Sequence, residues 1–142
     1  MIFISHRGNL NGPNKTEENQ PSYISAAIDK GFHVEADVFF ENNNFFLGHD
    51  KPLYQIKPSF LENEKIWCHA KNIEALVMLK KYKTHYFWHQ NDDVTITSKG
   101  YFWTYPGKDL TSNSICVLPE WNNINKFNCA GICSDHIMDY QK

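Results

Sequence analysis

No run of apolar residues in this 142-residue chain approaches the roughly 20 that a membrane-spanning helix needs. Membrane insertion is therefore not expected. An excess of one charge is also missing: 14 Lys and Arg stand against 16 Asp and Glu, for a formal net charge of −2. That balance excludes the broad basic field of a general nucleic-acid binder, so no nucleic-acid partner is expected. Cysteine is scarce, with Cys68, Cys116, Cys129 and Cys133 forming no CxxC pair. Buried thiols are expected rather than disulfides or a zinc site, although Cys129 and Cys133 have the spacing to face each other on a helix. There is no internal repeat, low-complexity tract or linker, which leaves residues 1–142 as one domain. The chain opens directly on a strand, with no room for a signal peptide before His6, so a cytoplasmic protein is expected.

What is present is an alternation. Met1–Ser5 reads as a short buried strand. A loop follows over Asn9–Lys15, and then a helix, with Asn19 as its cap, Pro21 in its first turn and Lys30-Gly31 as its stop. Phe32–Phe39 is a second strand, Asn42-Asn43-Asn44 a turn, and Asn44–Gly48 a returning strand. Pro52–Pro58 reads as loop, followed by a single helical turn. Lys65–Ala70 is the next strand. Asn72 then caps a helix over Ile73–Tyr82 with Ile73, Leu76 and Val77 on its core face. Tyr86–His89 follows as a strand. Beyond it the helical signal fades, leaving short strands at Val94–Thr97, Tyr101–Tyr105, Ser114–Leu118 and Ala130–Ser134.

Alternating strands and helices in the first half favour a parallel sheet with crossover helices. A complete eightfold barrel needs at least about 200 residues, and this chain has 142. The expected fold is α/β: a reduced TIM-type (β/α) barrel that lacks several outer helices in its second half. Aromatic residues make up 15% of the chain, so large rings should fill much of the core. Trp88, Trp103 and Trp121 are read as core, with Trp103 or Tyr105 as rings for stacking on a substrate.

Chemistry gathers at the strand ends. Glu35 and Asp37 are two apart in a strand-like run, so they point the same way, while Val34, Ala36 and Val38 cover the other face. Paired oxygen ligands of this kind suit a hard divalent cation. His6 closes the first strand, at the end where parallel α/β folds bind ligands. Arg7 beside it carries a guanidinium shaped for phosphate. His49-Asp50 closes another apolar run. Secondary candidates for the mouth are His89, Gln90, Asn91, Asp135 and His136. Lys80, Lys81 and Lys83 read as a solvated helix face.

The series His6-Arg7-Gly8, Glu18-Asn19, Glu35-Ala36-Asp37 and Gly48-His49-Asp50 resembles, in order and spacing, the glycerophosphodiester phosphodiesterases. That family belongs to the barrel phosphodiesterases that include phosphatidylinositol-specific phospholipase C. The resemblance is dense over residues 1–52 and thin afterwards. Later, Cys68-His69-Ala70-Lys71 stands where the family has a Glu-x-Lys strand end. Gly131-Ile132-Cys133-Ser134-Asp135 looks like its last strand. The resemblance implies a metal-dependent phosphodiesterase acting on a small-molecule phosphodiester. His6 and His49 would be the acid–base pair, with Arg7 and Lys71 as phosphate contacts. Glu35, Asp37 and His69 would be the metal ligands, and Glu18 would stand near the metal. The implied ion is Mg²⁺ or Ca²⁺ first, with Mn²⁺ next. One departure stands out: the family's third ligand is acidic, and here it is His69, a softer and neutral donor. The alternative function is a non-catalytic phospho-ligand binding module on the same scaffold. A helix-poor second half should also expose strand edges, which a homodimer would cover.

Overall fold

The computed structural model describes residues 1–141. Ten strands form one sheet. The first strand, β1 (Ile2–His6), leads through helix α1 (Pro21–Asp29) into the long β2 (His33–Glu41). An antiparallel pair, β3 (Asn44–Leu47) and β4 (Tyr54–Ile56), extends from the far end of β2. The single turn α2 (Pro58–Leu61) precedes β5 (Ile66–Ala70), and α3 (Ile73–Leu79) leads to β6 (His85–Phe87). Four strands follow: β7 (Val94–Ile96), β8 (Phe102–Thr104), β9 (Ser114–Val117) and β10 (Gly131–Ser134). A 3₁₀ turn at Pro119–Asn122 and the final turn α4 (Ile137–Tyr140) complete the described chain.

The strands β6, β5, β2, β1, β10, β9 and β8 lie side by side and parallel, and β7 adds antiparallel to β8. The sheet curls. A backbone hydrogen bond of 2.8 Å from Ser98 N–H to the Tyr86 carbonyl ties the segment after β7 to β6. Rings from opposite arms meet inside, with the centroids of Phe87 and Trp103 4.5 Å apart. The architecture is thus a mixed α/β sheet curled into a partial barrel with few helices. It falls short of the complete eightfold strand–helix repeat, and the regular helices α1 and α3 both precede β6.

Strand alternation divides the core in two. Inside the curl, Ile4, Trp67, Phe87, Trp103, Ile115, Val117 and Cys133 pack together. Outside it, Val34, Ala36, Val38, Ile66, Cys68 and Ala70 are covered by Ile24 and Ala27 of α1 and by Ala75 and Leu79 of α3. The polar side of β2 therefore faces inward, as its alternation implied. Gly131 is required where β1 and β10 pack, because a Cβ there would lie 2.6 Å from the Ile2 carbonyl oxygen.

Several local expectations are corrected. Tyr54–Ile56 is a strand rather than loop, because β3 presents a free edge that these residues pair with. The inner face of α3 is Ala75 and Leu79, with Leu76 half-buried, while Ile73 and Val77 are 58% and 54% exposed. The helix phase is set by Asn72. Its Oδ1 accepts from Ala75 N–H and Phe40 N–H, and its Nδ2 donates to the Phe40 carbonyl, which docks the helix start on β2. Asn19 does not cap α1; Gln20 occupies that position with no side-chain hydrogen bond. Cys133 lies in β10, so it faces no helical partner at Cys129, and all four cysteines are free thiols. Among the described residues no helix is long and apolar enough to cross a membrane.

Candidate active site

The parallel register carries the inward polar residues to one end of the curl. His6 of β1 pairs with Glu35 of β2, and Asp37 of β2 pairs with His69 of β5. Beyond His6 the chain turns sharply through Arg7 (φ 56°) and Gly8 (φ 94°). Only glycine fits the second position, because a Cβ on Gly8 would lie 2.5 Å from the Tyr23 ring. These residues border a cavity of about 590 Å³, lined by His6, Arg7, Glu35, His49, His69 and Lys71 among others.

Glu35 and His69 form its floor, with the fully buried Asp37 grouped against them. One ligand atom from each lies within 4.8 Å of the others. His69 Nδ1 stands 3.3 Å from Glu35 Oε1 and 3.3 Å from Asp37 Oδ1. Two neighbouring donors on a first-row ion with bonds of about 2.1 Å sit roughly 3.0–3.4 Å apart, so this spacing fits a bound ion. Glu35 Oε2 and Asp37 Oδ1 are buried without an aligned hydrogen-bond donor, a state that a cation relieves. The other nitrogen of His69, Nε2, donates to the His89 carbonyl at 2.8 Å. Without an ion, burial opposes charge on His69, but the Asp37 and Glu35 carboxylates push its pKa up to about 9.

Asp37 is the most heavily supported group. Arg7 Nε lies 2.9 Å from its Oδ2, and Lys71 Nζ lies 3.7 Å from its Oδ1. Asn19 brackets it, donating from Nδ2 to Oδ2 at 2.9 Å and accepting from the Asp37 N–H at 2.9 Å. Burial opposes the charge, yet the neighbouring His69, Arg7 and Lys71 hold this carboxyl far below the usual range. Asn19 itself is buried and left-handed, at φ 64°, a conformation asparagine tolerates.

Two histidine–aspartate pairs flank the floor. His6 Nδ1 lies 2.8 Å from Asp135 Oδ1, and His49 Nδ1 lies 2.7 Å from Asp50 Oδ1. A carboxylate only accepts, so each Nδ1 carries the hydrogen and each Nε2 is left for chemistry. His6 Nε2 is 3.8 Å from Glu35 Oε2. Burial acts against its charge, but the Asp135 hydrogen bond and the field of Glu35 raise its pKa. Asp135 is held in turn by Asn9 Nδ2 at 2.7 Å and, through its own N–H, by Glu120 at 3.1 Å. The pair at His49 is more exposed. It follows Gly48, where a Cβ would collide with the Lys51 carbonyl oxygen, so the turn that presents His49 requires glycine.

The seven residues singled out from the sequence, His6, Arg7, Glu35, Asp37, His49, His69 and Lys71, thus converge on one cavity or directly beneath it. Arg7 also pairs with Glu18 at 3.3 Å, so part of its guanidinium already serves acidic neighbours. Sequence reasoning missed the supporting groups. Asn9 carries no signal beyond a loop, Glu120 carries none, and the local pattern around Asn19 fits a helix cap. Asp135 is legible as a mouth residue, but its bond to His6 is not. Trp103 is buried as expected but also borders the cavity, whereas Trp121 is 63% exposed at its rim rather than in the core. No protein-family model, curated protein or solved structure matches the chain.

Proposed function

We propose that this protein is a metal-dependent phosphodiesterase that cleaves a small, glycerophosphodiester-like substrate by acid–base catalysis. The carrying observation is the pairing of His6 with Asp135 and of His49 with Asp50, with both histidines lining the cavity that Glu35 and His69 also line. The cavity volume lies in the range of small-molecule sites. Its polar side carries Arg7, Lys15 and Lys71, and its apolar wall carries Trp103, Tyr105, Val117, Leu118 and Trp121. The cationic side suits the phosphate, and the wall suits the alcohol.

Glu35, Asp37 and His69 would hold a divalent ion, which would supply charge neutralisation for the phosphate oxygens. Arg7 and Lys71 bind those oxygens and stabilise the charge that builds on them. His6 Nε2 takes the proton from a hydroxyl next to the diester, and that oxygen attacks phosphorus. The bond from phosphorus to the leaving alcohol breaks as His49 Nε2–H delivers a proton to it. The product is a cyclic phosphate. It is either opened by water, with the histidine roles reversed, or released, which would make the enzyme a lyase.

A non-catalytic phospho-ligand module is the second reading, and the His69 departure favours it. Two oriented histidine–aspartate pairs weigh against it, because binding alone needs neither. Free thiols fit a cytoplasmic setting. The homodimer expectation rests on β7, whose Val94 and Ile96 are exposed; a monomeric mass by light scattering at micromolar concentration removes it. The test of function is breakdown of glycerophosphocholine, whose glycerol carries the neighbouring hydroxyl, with added divalent ions or EDTA. Turnover that needs metal and disappears in His6→Ala and His49→Ala supports the enzyme. Turnover retained in both variants refutes the assigned chemistry.

A further inference from the structure

A histidine in a ligand set of two carboxylates changes which ion that set selects. We infer that Glu35, Asp37 and Nδ1 of His69 form a mixed nitrogen–oxygen site for later first-row ions such as Co²⁺ and Zn²⁺, in preference to Mg²⁺ and Ca²⁺, with the His89 carbonyl as the positioning group. The inference rests on the metal-dependent reading of this cavity and reverses the order of ions that the family resemblance implies.

Three observations carry it. A carbonyl oxygen only accepts, so the 2.8 Å contact between His69 Nε2 and the His89 carbonyl fixes the hydrogen on Nε2. Nδ1 faces both carboxylates, 3.3 Å from each, so a cation that displaces its proton meets a neutral ring with the Nδ1 lone pair directed between them. This is the arrangement in which metal-bound histidines are held: one nitrogen on the ion, the other donating to an outer acceptor. Second, the ring cannot rotate freely, because it stacks on Phe87 at a centroid distance of 5.0 Å and an interplanar angle of 14°. Third, Glu35 Oε2, the carboxylate oxygen beside the one that faces His69, and Asp37 Oδ1 are buried and lack an aligned donor, in residues that are 1% and 0% exposed.

The chemistry of selection follows from the donors. Ca²⁺ and Mg²⁺ take oxygen ligands, and Mg²⁺ gives up its waters reluctantly. Imidazole suits the later first-row ions, whose affinity for mixed sites rises along the series. The trio also carries two formal negative charges, which one divalent ion balances.

The test uses the whole metal-free chain. Isothermal titration with Zn²⁺, Co²⁺, Mg²⁺ and Ca²⁺ gives the ranking. Proton NMR of the Co²⁺ form looks for a paramagnetically shifted, slowly exchanging N–H from the His69 ring. The expected result is Zn²⁺ and Co²⁺ binding tighter than Mg²⁺ by about tenfold or more, a ratio that falls by a similar factor in His69→Glu, the scale on which ligand support shifts affinity. The shifted N–H is present in the native protein and absent in the variant. Mg²⁺ or Ca²⁺ binding as tightly as Zn²⁺, an unchanged ratio in His69→Glu, or no shifted N–H overturns the inference. Circular dichroism checks the variant's fold; where it does not fold, the native ranking and the N–H signal decide. Ions binding in the expected order without diester turnover defeats the functional reading and leaves this inference standing. Binding of no ion overturns this inference and removes the metal from the functional reading.

Discussion

Asn19→Ala is the perturbation that most directly probes how the site is held. Asn19 is 1% exposed and spans Asp37 with two hydrogen bonds of 2.9 Å. A hydrogen bond to a charged group contributes about 1.5–3 kcal/mol, and a buried N–H left without a partner costs about 1–3 kcal/mol. Alanine at φ 64° adds a left-handed penalty of about 1–2 kcal/mol. Allowing for overlap between these terms, the loss is about 4 kcal/mol, a large share of a typical stability of about 5–15 kcal/mol. Urea unfolding at constant m-value measures it. Asn19→Gly separates the terms, because glycine adopts the same backbone without strain; it should be about 1 kcal/mol milder than alanine. A loss below about 1 kcal/mol in Asn19→Ala, or a glycine variant worse than the alanine one, would refute the reasoning.

Three further predictions concern catalysis and pH. On glycerol p-nitrophenyl phosphate, whose leaving group needs no proton, His49→Ala should retain most activity while His6→Ala loses about 10²–10⁴-fold; equal losses contradict the assigned roles. Gly48→Ala drives a Cβ into the Lys51 carbonyl and displaces His49, so kcat should drop by about 100-fold with metal affinity unchanged; retained kcat would show that His49 is not held by this turn. Burial pushes the His85 pKa down to about 3, so its contribution to stability is complete above its unfolded pKa of about 6.5 and is lost as pH falls toward 3. The carboxylates raise that of His69 to about 9, so its contribution is complete below about 6.5 and is lost as pH rises through 9. Urea midpoints of the metal-free protein should therefore fall on both sides of about pH 6.5. The acid limb should flatten in His85→Gln and the alkaline limb in His69→Gln; unchanged limbs would remove these groups as the cause.

The legible parts of the fold were those with a local signal. Strand alternation alone put Glu35 and Asp37 on the inner face, opposite Val34, Ala36 and Val38. The Asn42-Asn43 turn was legible because both residues take positive φ readily, at 49° and 61°. The phase of α3 was not, because it depends on Asn72 reaching back to Phe40 on another element. Likewise β4 exists only because β3 offers an edge. In the site, individual chemical groups could be read, but their partners could not. The pairing of His6 with Asp135 joins residues 129 positions apart, and the bond that orients His69 goes to a backbone carbonyl, which no side-chain pattern encodes. Asn19 had a plausible local role as a cap, and the long-range bonds to Asp37 took precedence.

The most direct measurement is ³¹P NMR of glycerophosphocholine incubated with the Zn²⁺- or Co²⁺-loaded protein, beside the same sample in EDTA and an Asp37→Asn variant. The account predicts that the diester resonance gives way to a cyclic phosphate or a monoester in the loaded protein alone. Product formed equally in EDTA, or equally by Asp37→Asn, would contradict it.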